Sequence, residues 1–406
     1  MVKLLIGGSP CSFWSIAQSK NRETTATGQG WELFKNYLMV KELFRPDFFL
    51  YENNKSAAQA IKDQISRELG VPLQYINSAL VSAQNRQRFY AHNFGYPPGP
   101  VDRGILLKDI LDTGQPSKPF DYVPHKDTDI IINDNAMRLQ RRDSKRSTVQ
   151  GTHVNFPDGK TQTLQVAHVP KTFEAYSGRI VGRRKNEQGK REDNNADLEH
   201  VQYVEINKDP EKTNCLTTFY KDNIVAQKTS DAAGPVYEVV GGEISIKGKT
   251  YPIKLPDGRY IIRKLTVAEC CRLQTLPDDY CRAVSASQAY KALGNGWTAE
   301  VIAHLLGYAL AGVPKNEKLL VISMYDGIGT GRYVLDKLGF TNVEYHAFEI
   351  DKHAIKVAHD NYPDIRQHGD AFKVREVETW PELITSGEWA GKQVIDLEME
   401  RFIYAG

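Results

Sequence analysis

No stretch of this chain stays apolar for anything near the ~20 residues that carry a helix across a bilayer. Its opening, Met1-Val-Lys-Leu-Leu-Ile-Gly-Gly, is interrupted too soon to read as a secretory signal. Cysteine is scarce and shows no paired spacing. The five, Cys11, Cys215, Cys270, Cys271 and Cys281, suggest neither a disulfide framework nor a zinc site, and they point to a reducing compartment. A cytoplasmic enzyme without a metal is the expectation, bacterial or phage-encoded, or nuclear if the source is eukaryotic. An excess of one charge is missing too. Fifty-two Lys and Arg face 50 Asp and Glu, for a formal net charge of +2, so composition alone announces no nucleic-acid partner.

The 406 residues, 41% hydrophobic and 25% charged, are ordinary for a globular chain with one large core and room for two domains. Charge distribution says more than its sum. Arg138, Arg141, Arg142, Lys145 and Arg146 fall close together, and Arg179, Arg183, Arg184, Lys185, Lys190 and Arg191 form a second cluster. Such runs either track phosphates or cover a solvated face.

Residues 1–90 alternate strand and helix. The pattern predicts a strand over Val2–Ile6, then a helix with Leu33, Phe34, Tyr37, Leu38 and Leu43 on one face. A buried strand follows from Asp47, then a helix capped by Ser56 and ended by Gly70, then a strand over Gln74–Val81. That alternation implies a mostly parallel sheet covered on both faces. From about 113 to 262 helical periodicity fades and short β-like pieces appear, such as Val201–Ile206 and Tyr260-Ile-Ile. Helices return with the capping-box spacings Thr266-x-x-Glu269 and Ser285-x-x-Gln288, and with a helix over about 298–311 that puts Val301, Ile302, Leu305 and Leu306 together. After Gly312–Lys318 a βαβ unit opens afresh, at Leu319-Leu-Val-Ile-Ser.

Four constellations carry chemistry. The first is Tyr325-Asp326-Gly327-Ile328-Gly329-Thr330-Gly331, a glycine turn between strand and helix. There the backbone can approach a cofactor and the helix N-terminus offers free N–H groups. Glu349 ends the next strand, at a spacing suited to ribose hydroxyls, and Asp370 ends a third. The turn lacks the Gly-Lys-Ser/Thr ending that holds nucleotide triphosphates, which disfavours an ATPase. The second is Gly8-Ser9-Pro10-Cys11, a thiol at the carboxyl edge of the sheet, where open α/β sheets bind ligands; a lone cysteine is more often a small core residue. The third, Tyr51-Glu52-Asn53-Asn54, puts a carboxyl at a strand end, costly unless paired. The fourth, Gln84-Asn85-Arg86-Gln87-Arg88, sets two arginines on one side of an extended segment. Each reads as structure when taken singly.

Together they resemble the signature motifs of DNA cytosine-C5 methyltransferases. The resemblance is carried by Pro10-Cys11 with Ser15, Glu52-Asn53, Gln84-x-Arg86-x-Arg88, the run Arg263 to Asp278, Gly294-Asn295, and the cofactor motifs at Tyr325-Asp-Gly-Ile-Gly-Thr-Gly, Glu349 and Asp370. Ile6-Gly-Gly-Ser-Pro-Cys, Asp326-Gly-Ile-x-Thr-Gly and Trp297 lean towards the de novo branch. Two departures stand out. Asn54 replaces a usual valine, for which a local packing change is expected. The cofactor half also follows the other motifs, a circular permutation that joins the halves through about 312–318.

The resemblance implies a Rossmann-like, S-adenosyl-L-methionine-dependent α/β fold in permuted order. Residues 1–112 and 263–311 would form the catalytic half, 319–406 the cofactor half, and 113–262 an inserted, loop- and strand-rich target-recognition domain. It implies Cys11 as nucleophile, Glu52 at N3 of the base, Arg88 at O2 and Arg86 supporting the loop, with residues 12–30 closing over a flipped cytosine. It implies that Pro10, Tyr325, Asp326, Gly327, Gly329, Thr330, Glu349, Asp370, Asn295 and Trp297 hold the cofactor, with Tyr325 near adenine. Double-stranded DNA would be the partner, met by Ser15, Arg138, Arg141, Arg142, Arg183 and Arg184, and by Thr217 and Thr218 within the Pro210–Thr218 element. An RNA cytosine methyltransferase is the first alternative, disfavoured by the long basic insertion and the lack of a Cys-Phe-Thr element. A non-catalytic DNA-binding homologue is the second, disfavoured by the complete motif set. The tail from Lys392 to Gly406 carries no assignable motif.

Overall fold

The computed structural model describes residues 1–15, 22–112, 128–133, 136–141, 154–155, 175–184, 186, 192, 195, 197–198, 201–206, 212–216, 224–228, 236–241, 243–246, 249–252 and 256–375. Two compact units divide the chain: Met1–Ile76, Gln87–Gly99 and Ala299–Gly406 form one, Asn77–Arg86 and Pro100–Thr298 the other. The expected contacts Arg142, Thr217 and Thr218, and the tail from Lys392, lie outside the described residues.

The first unit is built on a seven-stranded sheet. Its strands are β1 (Val2–Gly7), β2 (Phe48–Asn54), β3 (Leu73–Asn77), β4 (Gln87–His92), β5 (Leu319–Met324), β6 (Val343–Phe348) and β7 (Arg366–Gln367), in the order β7-β6-β5-β1-β2-β4-β3. β1 and β5 occupy the middle, parallel to each other and to their outer neighbours β2 and β6. Interior parallel strands must be apolar on both faces. Leu4, Leu5 and Ile6 are accordingly buried, as is every residue of β5. β4 alone is seen to turn back, antiparallel to β2. The helices are α1 (Gln29–Phe44), α2 (Gln59–Leu69), α3 (Ala299–Ala309), α4 (Thr330–Lys337) and α5 (Lys352–Asn361). On α1, Phe34, Tyr37, Leu38 and Val40 enter the core. Val301, Ile302, Leu305 and Leu306 do the same on α3.

The junction of β1 and β5 is tight. Gly7 faces Met324 in register, and a Cβ at Gly7 would stand 2.5 Å from the Met324 carbonyl oxygen. Only glycine lets the two main chains run this close at the end of the strand.

Local polar chemistry moved two boundaries. Ser56 does not cap α2, whose N-cap is Ala58; its hydroxyl donates instead to Asn54 Oδ1 at 2.6 Å. β3 stops at Asn77, short of Val81, because the Asn77 side chain accepts from Ala79 N and turns the chain into the 3-10 segment Ser78–Leu80. Gly70 ends α2 in the left-handed conformation, as the sequence requires.

In the second unit the described residues form a ten-stranded sheet that includes Ala136–Arg141, Ala175–Arg183, Val201–Ile206, Ile224–Lys228 and Gly258–Lys264. Three short helices, Leu107–Ile110, Val267–Leu273 and Ala286–Asn295, accompany it. The Thr266–Glu269 capping box closes in both directions. Ser285 takes the N-cap position of its helix without a side-chain cap hydrogen bond. No described helix is long and apolar enough to cross a membrane.

Gly7→Ala should destabilise the first unit by ~1–3 kcal/mol, the usual cost of forcing extra volume into a packed site. Chemical denaturation measures it, and a variant as stable as the parent would show that the β1–β5 junction can yield.

Candidate active site

The site is assembled where three neighbouring strands end. Gly7 of β1 pairs with Met324 of β5 on one side and with Tyr51 of β2 on the other. The loop leading to Cys11, the glycine turn after β5 and the Glu52–Asn54 end of β2 therefore emerge side by side from one sheet edge. All three belong to the first unit.

The Cys11 loop is clamped to β2. A Cβ at Gly8 would lie 2.4 Å from the Glu52 carbonyl oxygen and 3.1 Å from Glu52 Oε2, so the main chain passes directly against that residue. Asn53 Nδ2 donates to Ser9 O at 2.9 Å, and the Ser9 hydroxyl meets the Tyr51 hydroxyl at 2.7 Å. Tyr51 is fully buried, and burial pushes its phenol well above the ordinary range. Cys11 opens a one-turn 3-10 segment, Cys11–Phe13, and its carbonyl accepts from Trp14 N and Ser15 N. The thiol-bearing residue is half-buried and Pro10 before it is exposed. Farther along, buried Trp14 donates to Glu23, whose carboxylate also accepts from Gly30 N at the start of α1.

Glu52 and Arg88 form an ion pair, Nε to Oε1, at 2.8 Å. Register explains it: Glu52 faces Tyr90 across the β2–β4 pair and Arg88 faces Asn54, so the two side chains are diagonal neighbours on one face. Asn54, where a packing change was expected, is buried. Its amide nitrogen donates to Asn53 Oδ1 at 3.3 Å and its oxygen accepts from Ser56. The local hydrogen bonds offset the burial of a polar side chain.

On the β5 side, Gly327 and Gly329 take positive φ of 65° and 77°. α4 begins at Thr330 with no side-chain cap, which leaves its first N–H groups for a ligand. Glu349 Oε2 accepts from Gly327 N at 2.9 Å, while Oε1 accepts from Ile350 N and Asp351 N. Ile350, which motif reasoning passed over, is an apolar side chain 73% exposed immediately after this carboxylate. Asp370 Oδ1 accepts from Phe372 N at the start of the last described turn. Asp326 is half-buried, with Oδ1 taking the Tyr345 hydroxyl at 2.7 Å and Oδ2 shut away from solvent without a hydrogen-bond partner. Burial raises its pKa to about 6; the Tyr345 hydrogen bond opposes the shift and the charge of Glu349 adds to it. Tyr325 has its hydroxyl tied to α1, donating to Leu33 O at 2.6 Å.

Arg86, Asn295 and Trp297 belong to the second unit. Arg86 is buried and committed to main-chain carbonyls, with Nη2 on Gly296 O at 2.7 Å and Nη1 on Gly294 O at 3.3 Å and Cys215 Sγ at 3.0 Å. The same Gly294–Gly296 turn is held by Gln274, whose Nε2 donates to Leu293 O while its Oε1 accepts from Thr298. Lys212 is buried too and donates to the carbonyls of Ala79, Ser82 and Ile105, just ahead of the paired strands Thr213–Asn214 and Gln84–Asn85. Thr298 carried no signal in the sequence, and Gln274 and Lys212, although within the Arg263–Asp278 run and the Pro210–Thr218 element, were not singled out, since single polar residues acquire meaning only with their distant partners. Arg138 and Arg141 fall on the strand Ala136–Arg141 and Arg183 ends Ala175–Arg183. Arg184 follows, its carbonyl accepting from Glu192 N. Among the described residues no cluster of His, Cys, Asp and Glu could hold a metal ion.

In a comparison with known families, the model of a family described as C-5 cytosine-specific DNA methylase matches residues 1–309. No curated protein matches the chain.

The Asp326 carboxyl titrates in the folded state at about 6, against an ordinary 3.8. A raised acid favours folding below its ordinary pKa and loses that advantage as pH rises through the folded value. Asp326→Asn lacks this titration, so it should gain on the parent by on the order of 2 kcal/mol between about pH 4.5 and about pH 7.5, at about 1.4 kcal/mol per unit. Denaturation curves at both pH values test this; a constant difference between the two proteins would refute it.

Proposed function

The chain belongs to the C-5 cytosine-specific DNA methylase family, which makes it a DNA cytosine-C5 methyltransferase, and from that premise we propose a mechanism led by Cys11. The observation that carries this reading is the double register of Gly7, with Met324 on one side and Tyr51 on the other. Nucleophile loop, donor loop and acid thereby share one sheet edge.

S-adenosyl-L-methionine fits the residues after β5. The glycine turn and the uncapped start of α4 suit a close-lying, non-phosphorylated ligand, Glu349 has lone pairs left for ribose hydroxyls, and Asp370 suits an adenine amino group. When bound, it supplies an electrophilic methyl on a sulfonium centre. Cytosine C5 is too weak a nucleophile to take that methyl unaided. The Cys11 thiolate adds to C6, forming a C–S bond and shifting electron density to C5. Glu52 meets N3 and the exocyclic amine, and Arg88 neutralises charge growing at O2. Their 2.8 Å pairing keeps a hydrogen-bonding edge of both signs together. Once the donor's S–CH3 bond has given its methyl to C5, with S-adenosylhomocysteine as the leaving thioether, the C5 proton would pass to solvent or a base and the bond to Cys11 would break, returning the thiolate and restoring aromaticity. Inside a duplex these atoms are out of reach, so the base is flipped out, at a cost of a few kcal/mol.

We read the motif order as a circular permutation. Its support is that the family match ends at residue 309, ahead of β5, and that β5 nevertheless pairs with β1. The Gly-Ser-Pro-Cys and Asp-Gly-Ile-x-Thr-Gly details favour the de novo branch. The stretch 113–262, with its arginine clusters and strands, takes the part of the target-recognition domain, and the clusters take phosphates.

Cys11→Ala should abolish methyl transfer while leaving DNA binding within about twofold of the parent, since the thiol acts only in the chemical step. Duplex DNA carrying 5-fluorocytosine at the target should trap a denaturant-resistant protein–DNA adduct in the parent and none in the variant. Turnover by the variant would remove Cys11 from its role.

A further inference from the structure

We propose that Asn36 and Arg375 are positioning residues for the methyl donor, acting through the hydroxyl of Tyr325. The inference rests on the reading of residues 325–331 as the donor loop and adds to it two residues that reach the loop through Tyr325.

Tyr325 is one of three non-glycine residues with positive φ among the described residues, at 60°. A bulky residue in that region is strained and persists only where its surroundings hold it, and such outliers gather at functional sites. Here the hold is visible. The phenol donates to Leu33 O at 2.6 Å and accepts from Asn36 Nδ2 at 3.3 Å, so both its hydrogen-bonding capacities are used on α1. Asn36 is completely buried, and its other amide atom, Oδ1, accepts from Arg375 Nε at 2.6 Å. That bond fixes the amide orientation, oxygen towards the guanidinium and nitrogen towards the phenol. Arg375 is fixed in turn. Its Nη2 donates to Glu32 O and to Glu32 Oε2, each at 3.0 Å, and its plane lies 4.8 Å over the Phe372 ring.

Three segments meet at Asn36. α1 follows the nucleophile loop, Tyr325 begins the donor loop, and Arg375 lies five residues beyond Asp370, the expected adenine contact. A charge-assisted bond inside a part-buried chain of hydrogen bonds is stronger and more directional than an exposed one. Losing any member releases the strained Tyr325 backbone and lets the loop leave the donor-binding conformation. Donor affinity then falls by the fraction of time the loop spends elsewhere.

Tyr325→Phe, Asn36→Ala and the double variant test this by calorimetric titration with S-adenosylhomocysteine and by steady-state kinetics. Each single variant should weaken S-adenosylhomocysteine binding and raise the donor KM by about tenfold, the scale of one buried hydrogen bond, with the DNA KM held within about twofold. The double variant should be no worse than the weaker single, because both act through one link. Full parent affinity in Tyr325→Phe overturns the proposal, even if Asn36→Ala fails to fold. Additive losses overturn it as well, and so does a DNA KM that rises in step with the donor KM, which would mark a general structural defect. A parent enzyme that binds no S-adenosylhomocysteine would bring down the donor-loop reading itself.

Discussion

The parallel pairing of β1 with β5 is the constraint on which everything else in the first unit depends. It joins the start of the chain to a strand beginning at Leu319, and it does so at the centre of the sheet, where both faces are covered. A slip of one residue would turn Leu4 and Ile6 to the face of Leu5 and displace Gly7 from Met324. Because glycine at position 7 permits that close approach, the register is set at the carboxyl end of the strands. The relative placement of the Cys11 loop and the Tyr325–Gly331 turn is thus a property of the sheet, whereas the order of the segments along the chain is incidental to it.

Around that edge the structure uses buried polar side chains as connectors. Asn53 joins Ser9 to Tyr51, Asn54 joins Asn53 to Ser56, and Asn36 joins Tyr325 to Arg375. In the second unit Arg86 and Gln274 do the same for the carbonyls of Leu293, Gly294 and Gly296. An unsatisfied polar group in these places would cost more than the bond contributes, so each network holds one geometry and resists alternatives. That suits the proposed mechanism, which requires a sulfur, a carboxyl and a guanidinium to be fixed before the substrate arrives.

Much of this was legible in the residues. β1, α1, β2 and α3 follow from apolar runs and helical spacing, which survive in any fold context. Cys11, Glu52 and Arg88 stand out through the motifs they sit in, and the strand register then explains the Glu52–Arg88 pair and the passage of the Gly8 main chain against Glu52. What escaped were contacts decided by side-chain hydrogen bonds. Ser56 turned back to Asn54 in preference to capping α2, and Asn77 ended β3 early. Asn36, Gln274, Thr298 and Lys212 look like unremarkable polar residues until their partners, up to several hundred positions away, are in place. The arginine clusters remain a matter of composition, since a charge run has the same appearance on a DNA-facing strand and on a solvated one.

The central pairing also bears on how the molecule is made. Val2 reaches its partner Leu319 only after more than three hundred residues have been synthesised. Until then β1, the most apolar strand of the early chain, has a neighbour on one side and an open row of N–H and C=O groups on the other. Contacts of such long sequence separation form slowly. The nascent protein therefore carries a sticky, half-finished sheet centre through most of its translation, a period in which chaperone protection matters more than it does for the completed enzyme.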